Sequence, residues 1–253
     1  MKYYRELVSL SAFTLDDAGK VMKNPANASQ QLNAMIKAGY VTRIKHNLYT
    51  CIDLVSGGEV ANHFVIASHI TDNSFVAYHS AFEFYGMYNQ VYTEIQVASK
   101  KRFANFETDY CRYRCFLTDS DAQVETIRGA RVTSLERTIV DSIDMLGKVM
   151  DVEELVKCLA LIHTVDQNKL MDILKLYDKE VLFRKTGYFL SFFQEQYRLK
   201  DSFFEFCKAN ADFTHRGKIS SNELNKLTYI KEWALYGYKD IFALTYKGGK
   251  EDV

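Results

Sequence analysis

The residues with the most chemistry to offer lie between Pro25 and Ile52. Asn27, Ser29, Gln30 and Gln31 crowd the start of one predicted helix, and Lys37 lies farther along it. Arg43, Lys45, His46 and Asn47 follow on a predicted hairpin. Side-chain amides make two-point pairs with the N6 and N7 edge of adenine, and a short hydroxyl such as Ser29 suits a base edge or a phosphate. Cationic side chains on a hairpin offer phosphate contacts, which position a protein on a duplex without specifying sequence. The chemistry on offer is recognition of double-stranded DNA. The competing account is a small helical module whose polar face meets only water.

Charge distribution favours the first account. The chain of 253 residues has 32 Lys plus Arg and 32 Asp plus Glu, so its net charge names no partner. Residues 1–50, however, hold seven basic residues (Lys2, Arg5, Lys20, Lys23, Lys37, Arg43, Lys45) against three acidic ones (Glu6, Asp16, Asp17), a net of +4. The rest of the chain carries −4. No acid falls between Asp17 and Asp53, where five Lys and Arg do. A basic end on an acidic remainder is the asymmetry of a chain that meets a polyanion at one end.

Other clusters offer less. His63 and His69 are six residues apart on a predicted helix and point to different faces, unlike a helical metal pair. Cys111 and Cys115 share a strand face, but four residues of strand is roughly 13 Å, too far for a disulfide or a zinc clasp. Asp119 and Asp121 are paired carboxylates of the kind a divalent cation uses, and equally the makings of a turn between strands. The sequence has no Gly-Ser pair, no GxxxxGK[ST] loop and no GxSxG elbow. No catalytic residue, metal or cofactor is therefore expected. The five cysteines are an odd number at irregular spacing, which fits a reducing compartment and a cytoplasmic protein. No apolar run approaches a membrane span, and the N-terminus, broken by Arg5 and Glu6, has no signal-peptide stretch.

The elements that must position these side chains can be read from local patterns. Tyr4, Leu7, Val8 and Leu10 predict a short amphipathic helix ending near Phe13. Thr14 is placed as the cap of a second helix reaching about Met22, with Asp16 and Asp17 in its first turn. Asn24-Pro25 turns into a third helix, whose Ala28, Leu32, Met35 and Ile36 form a buried stripe and which Gly39 ends. A hairpin follows over 41–52, turning at His46-Asn47. Three helices and a hairpin is the order of a winged helix-turn-helix, expected over residues 1–53. The stretch 54–59, LVSGGE, is the expected domain boundary.

A second domain is expected over 59–253, with an α+β core at about 59–146 and a helical region from about 147. Its predicted helices are 60–70, 80–85, 134–146, 152–162, 167–176, 188–197, 202–210 and 223–235. Its predicted strands are 75–78, 93–98, 110–116 and 123–132, the last bent at Gly129. The expected fold class is α+β, with an N-terminal winged helix-turn-helix, a mixed α/β domain and an all-helical C-terminal tail. The chain shows no internal repeat.

Four stretches, in order, carry a family resemblance. MIKAGYVTRIKHNLYT (35–50) resembles a helix-and-wing signature, AYHSAFEFYGM (77–87) a helix entry, 91–98 the strand after it, and VTSLERTIVDSID (132–144) a capped helix. Together they resemble the AbiEi-type antitoxins of type IV abortive-infection toxin–antitoxin systems, over residues 1 to about 145. The resemblance implies a bacterial cytoplasmic protein whose winged helix binds and represses its own promoter. It also implies a C-terminal domain that opposes a nucleotidyltransferase-like toxin without requiring a stable complex. Asn47 stands where that family usually has Gly in the wing turn, and Tyr85 where it has His before Gly86. The alternatives are a stand-alone transcriptional regulator, and a DNA-guided metal-dependent enzyme.

The family-motif residues are His79, Ser80, Ser134, Glu136, Arg137, Thr138 and Asp141. Ser134 is placed as a helix cap, and Arg137 lies four residues before Asp141, close enough to pair. Glu136, Arg137 and Asp141 either contact a partner or nucleic acid, or tie their helix to the His79-Ser80 turn. Leu135, Ile139, Val140 and Ile143 bury the same helix, which favours the tie.

Overall fold

The computed structural model describes residues 2–88, 90, 92–220 and 227–249. The fold is α+β, and the chain divides into two compact units. Unit 1 is Met1–Val76 with Tyr92–Val132, and unit 2 is Ala77–Val91 with Thr133–Val253. No helix among the described residues is long and apolar enough to cross a membrane.

Unit 1 opens with α1 (Tyr4–Ser9), β1 (Ala12–Phe13), α2 (Leu15–Met22), α3 (Pro25–Lys37), β2 (Val41–Lys45) and β3 (Leu48–Cys51). Local chemistry sets these ends. The Thr14 hydroxyl accepts from Asp17 N at 3.2 Å while the Asp17 carboxylate accepts from Thr14 N at 3.1 Å, a reciprocal capping box. Asn24 caps α3 through Asn27 N at 3.3 Å, with Pro25 in its first turn. Gly39, at φ +75°, supplies the left-handed residue beyond the helix end. Leu7, Phe13, Ala18, Met22, Ala28, Leu32, Met35, Val41 and Cys51 close one apolar cluster. The unpredicted strand β1 adds to β3 antiparallel, Ala12 opposite Thr50, and makes a three-stranded sheet in the order β1-β3-β2.

The stretch 54–59 is an ordered turn. Asp53 Oδ1 accepts from Val55 N, Ser56 N and Ser56 Oγ, and Ile52 bridges to Glu59. The division expected there falls inside unit 1. Beyond it come α4 (His63–Ser68), β4 (Phe75–Val76), β5 (Glu94–Ser99), β6 (Phe106–Glu107), β7 (Arg112–Leu117), β8 (Val124–Ile127) and β9 (Ala130–Thr133). They form a six-stranded mixed sheet in the order β6-β7-β5-β4-β9-β8. β5 and β7 run parallel from Glu94 opposite Arg112 to Ser99 opposite Leu117. The single bent strand expected at 123–132 is two strands, because Arg128 and Gly129 both adopt positive φ (+50° and +81°) and reverse the chain.

Unit 2 comprises α5 (Tyr78–Phe84), α6 (Leu135–Asp144), α7 (Val152–Ala160), α8 (Gln167–Tyr177), α9 (Glu180–Ser191), α10 (Gln194–Tyr197) and α11 (Asp201–Ala209). Strands β10 (Gly217–Lys218), β11 (Thr228–Ile230) and β12 (Leu235–Gly237) follow, in the order β10-β12-β11. This sheet corrects the expectation of an all-helical tail. The helix expected at 223–235 is strand, one 3-10 turn (Lys231–Trp233) and strand from 228 onward, while 223–226 lie outside the described residues. Thr228, Tyr229 and Ile230 are β-branched or aromatic types that suit a pleated surface, and that preference outweighs the apolar spacing of the segment.

Candidate nucleic-acid interface

α2 and α3 pack through a close approach at Gly19. A Cβ there would stand 3.4 Å from Pro25 Cα and 3.7 Å from Ala28 Cβ. This contact and the stripe Ala28, Leu32 and Met35 turn one face of α3 inward. The opposite face presents Asn27, Ser29, Gln30 and Lys37 to solvent, with Gln31 half-buried at its edge. Exposed Lys20 and Lys23 lie at the end of α2, where the sequence reading assigned no contact. Their signal was the acid-free window.

The hairpin is more specialised than its sequence suggests. A bulge lies between Arg43 and Lys45, so Arg43 faces Tyr49 while Lys45 pairs with Leu48. Such an extra residue breaks the two-residue alternation that would have put both cations on one face. Arg43 remains exposed, its Nε donating to the Lys45 carbonyl at 3.2 Å. Lys45 is half-buried, with Nζ 5.3 Å from the Phe103 ring centre and 5.0 Å from that of Phe106. Burial holds its pKa below the usual lysine value. His46 is exposed at the turn. Asn47 takes positive φ (+59°), and its Oδ1 accepts from Leu15 N at 3.0 Å, pinning the turn to the start of α2.

A groove of about 650 Å³ runs beside this turn, within unit 1. Thr14, Asp17, Lys45, His46 and Asn47 line one side, and residues of 68–72 with Thr126, Gly129 and Arg131 line the other. Burial pushes the Asp17 pKa up, but the bonds from Thr14 and Lys20 outweigh it and hold the carboxyl below its usual value. Arg131 and Thr126 line the groove with His46 although they lie far from it in sequence, where no local pattern ties them to it.

The family-motif residues lie elsewhere, buried in unit 2. Arg137 is 1% exposed and its Nε donates to Asp141 at 3.1 Å. The Tyr177 hydroxyl donates to the other Asp141 oxygen, and Glu136 accepts from Asp166 N at 2.8 Å. Thr138 donates to the Ser134 carbonyl at 2.8 Å, Ser134 Oγ accepts from Arg137 N at 3.2 Å, and His79 Nδ1 lies 3.3 Å from Ser80 Oγ. Glu136 thus reaches the cap of α8, and Asp141 reaches α8 through Tyr177. Asp119 and Asp121 are exposed, and Asp121 pairs with Lys100 at 3.0 Å. Among the described residues no group of three or more His, Cys, Asp or Glu is arranged to hold a metal ion.

No protein-family model matches the sequence, and no curated protein matches it. Among solved structures the chain is similar to the Rv2827c protein from Mycobacterium tuberculosis, with a TM-score of 0.63 at 13% identity. The likeness covers 99% of this chain and 96% of that one. At that identity it speaks for the fold alone.

Proposed function

We propose that α1 to β3 form a winged helix-turn-helix that binds double-stranded DNA, and that the protein is a promoter-binding antitoxin of the type IV kind. The observation that carries the DNA-binding part is the two-sided character of α3. Ala28, Leu32 and Met35 are buried, and the amides of Asn27 and Gln30 with the hydroxyl of Ser29 are turned out together at the helix start. In this geometry the start of α3 meets base edges in the major groove, and the hairpin meets flanking phosphates through Arg43 and His46. Lys37, Lys20 and Lys23 add cations to the same module. The antitoxin part rests on the AbiEi-type resemblance of residues 1 to about 145. It implies a cytoplasmic protein without catalysis of its own, paired with a nucleotidyltransferase-like toxin.

One titration tests the DNA reading: full-length protein on the duplex upstream of its own reading frame and on a random duplex, across a salt series. Arg43→Ala should weaken both complexes together and make d log K/d log[salt] shallower by about one unit, since one fewer counterion is released. Gln30→Ala should cost about 1–3 kcal/mol on the upstream duplex and leave random DNA and the slope unchanged. Equal affinity of wild type for the two duplexes would reject an operator in that fragment. Co-expression with the adjacent reading frame tests the antitoxin part. A neighbour that is harmless without this protein leaves a stand-alone regulator.

A further inference from the structure

The groove beside the hairpin turn holds two cations, Lys45 and Arg131, with Asp121 acting on Arg131 only at longer range. Arg131 Nη1 is held at 3.4 Å by each of two backbone carbonyls, those of Asp72 and Ser74. No carboxylate lies within ion-pair distance of Arg131 or of Lys45 among the described residues. The two acids lining the groove are engaged. Asp17 bonds Thr14 and Lys20, and Asp72 pairs with Lys101 at 3.6 Å. Lys45 Nζ stands over the rings of Phe103 and Phe106, and these cation–π contacts hold it in place. A guanidinium braced by carbonyls keeps a planar fork of donors for phosphate oxygens.

His46, Thr126 and Arg131 all line the groove. We propose that it is a phosphodiester site: DNA backbone beyond the hairpin contact enters it, with Arg131 donating to a phosphate and exposed Thr126 at the rim. The inference rests on the DNA-binding reading and extends that surface from α1–β3 onto the β9–β8 edge of the six-stranded sheet. A free phosphate or nucleotide has the same chemistry, and the experiment separates the two sources.

Full-length wild type, Arg131→Gln, Arg131→Lys and Thr126→Asp are titrated with upstream and random duplex across a salt series. Arg131→Gln should weaken both duplexes about three- to tenfold near 0.1 M salt and make the slope shallower by about 0.9. Arg131→Lys should keep the wild-type slope. Thr126→Asp, which leaves the carbonyl bonds of Arg131 intact, should weaken both duplexes and covers the case in which Arg131→Gln does not fold. If Arg43→Ala lowers the slope while Arg131→Gln and Thr126→Asp behave as wild type, the hairpin contact stands and this inference falls. Wild type that binds no duplex removes both. Calorimetry with inorganic phosphate and with a mononucleotide supplies the last arm. Binding of either that is lost in Arg131→Gln, with DNA slopes unchanged, makes the groove a small-anion site and overturns the backbone assignment.

Discussion

Asp17 does two jobs in one turn of helix: it accepts from Thr14 N and from Thr14 Oγ, and it sits beside Lys20 at 3.3 Å. These contacts favour the ionised form and depress its pKa on folding, against the upward push of burial. A depressed carboxylate stabilises the fold fully above its unfolded pKa, near 4, and loses that contribution as pH falls through the folded value. Asp17→Asn should therefore lower the urea midpoint at pH 6 by an amount worth about 1 kcal/mol. The two midpoints should converge in acid, once pH has fallen below the depressed folded value. A gap that persists in acid would assign the effect to packing. In unit 2 the pair Arg137–Asp141 is buried on both sides. Arg137→Met strands Asp141 without its cation and should cost about 3–5 kcal/mol in urea unfolding, while Arg137→Met with Asp141→Leu should recover most of it. Equal loss in both variants would mean that shape, and not charge, sets the cost. The spacing of four made this pair legible in the sequence. Tyr177, 36 residues beyond Asp141, completes it through the fold alone, which no local pattern records.

Elements with chemically marked ends were legible in the sequence, and those made only by distant partners were not. Thr14 with Asp17, Asn24 with Pro25, Gly39, and Ser134 each fix a helix end through bonds within three residues or a positive φ. β1, β6 and β10 have two residues each, too few to show alternation, and exist because a neighbouring strand offers its edge. The tail was misjudged for the same reason, since β10 and β11 both depend on β12. One glycine exposes the packing that holds this tail. A Cβ at Gly187 on α9 would fall 2.2 Å from a ring carbon of Trp233, so the ring rests directly on helix backbone. Gly187→Ala must displace that ring, which is 2% exposed, and overpacking of this kind costs roughly 1–3 kcal/mol. Trp233 is the chain's one tryptophan, so its emission reports on this contact without labels. The variant should emit at longer wavelength and melt earlier. Unchanged emission would mean that the ring does not lie on α9.

At the scale of the whole chain, unit 1 is left after Val76, re-entered at Tyr92 and left again after Val132. A composition scan sees small residues at Ser56, Gly57 and Gly58 and has no means of telling a linker from a tight turn. Here hydrogen bonds decide. Asp53 gathers three donors, Ile52 bridges Glu59, Val60 N donates to Cys51 O, and Ala61 N donates to Thr50 Oγ1. The turn nevertheless offers a protease its preferred bait, because Leu54 is 61% and Val55 97% exposed. Brief thermolysin digestion should nick the chain at 54–55 and leave both pieces resistant to further cutting. The nicked protein should still elute as one species, because the bonds flanking the turn and the seat of Lys45 on Phe103 and Phe106 join residues on both sides of the cut. The pieces should separate only in denaturant. Two folded fragments that part in native buffer would instead make 54–59 a true boundary between independent domains, and the proposed DNA contact would then rest on α1–β3 without Arg131.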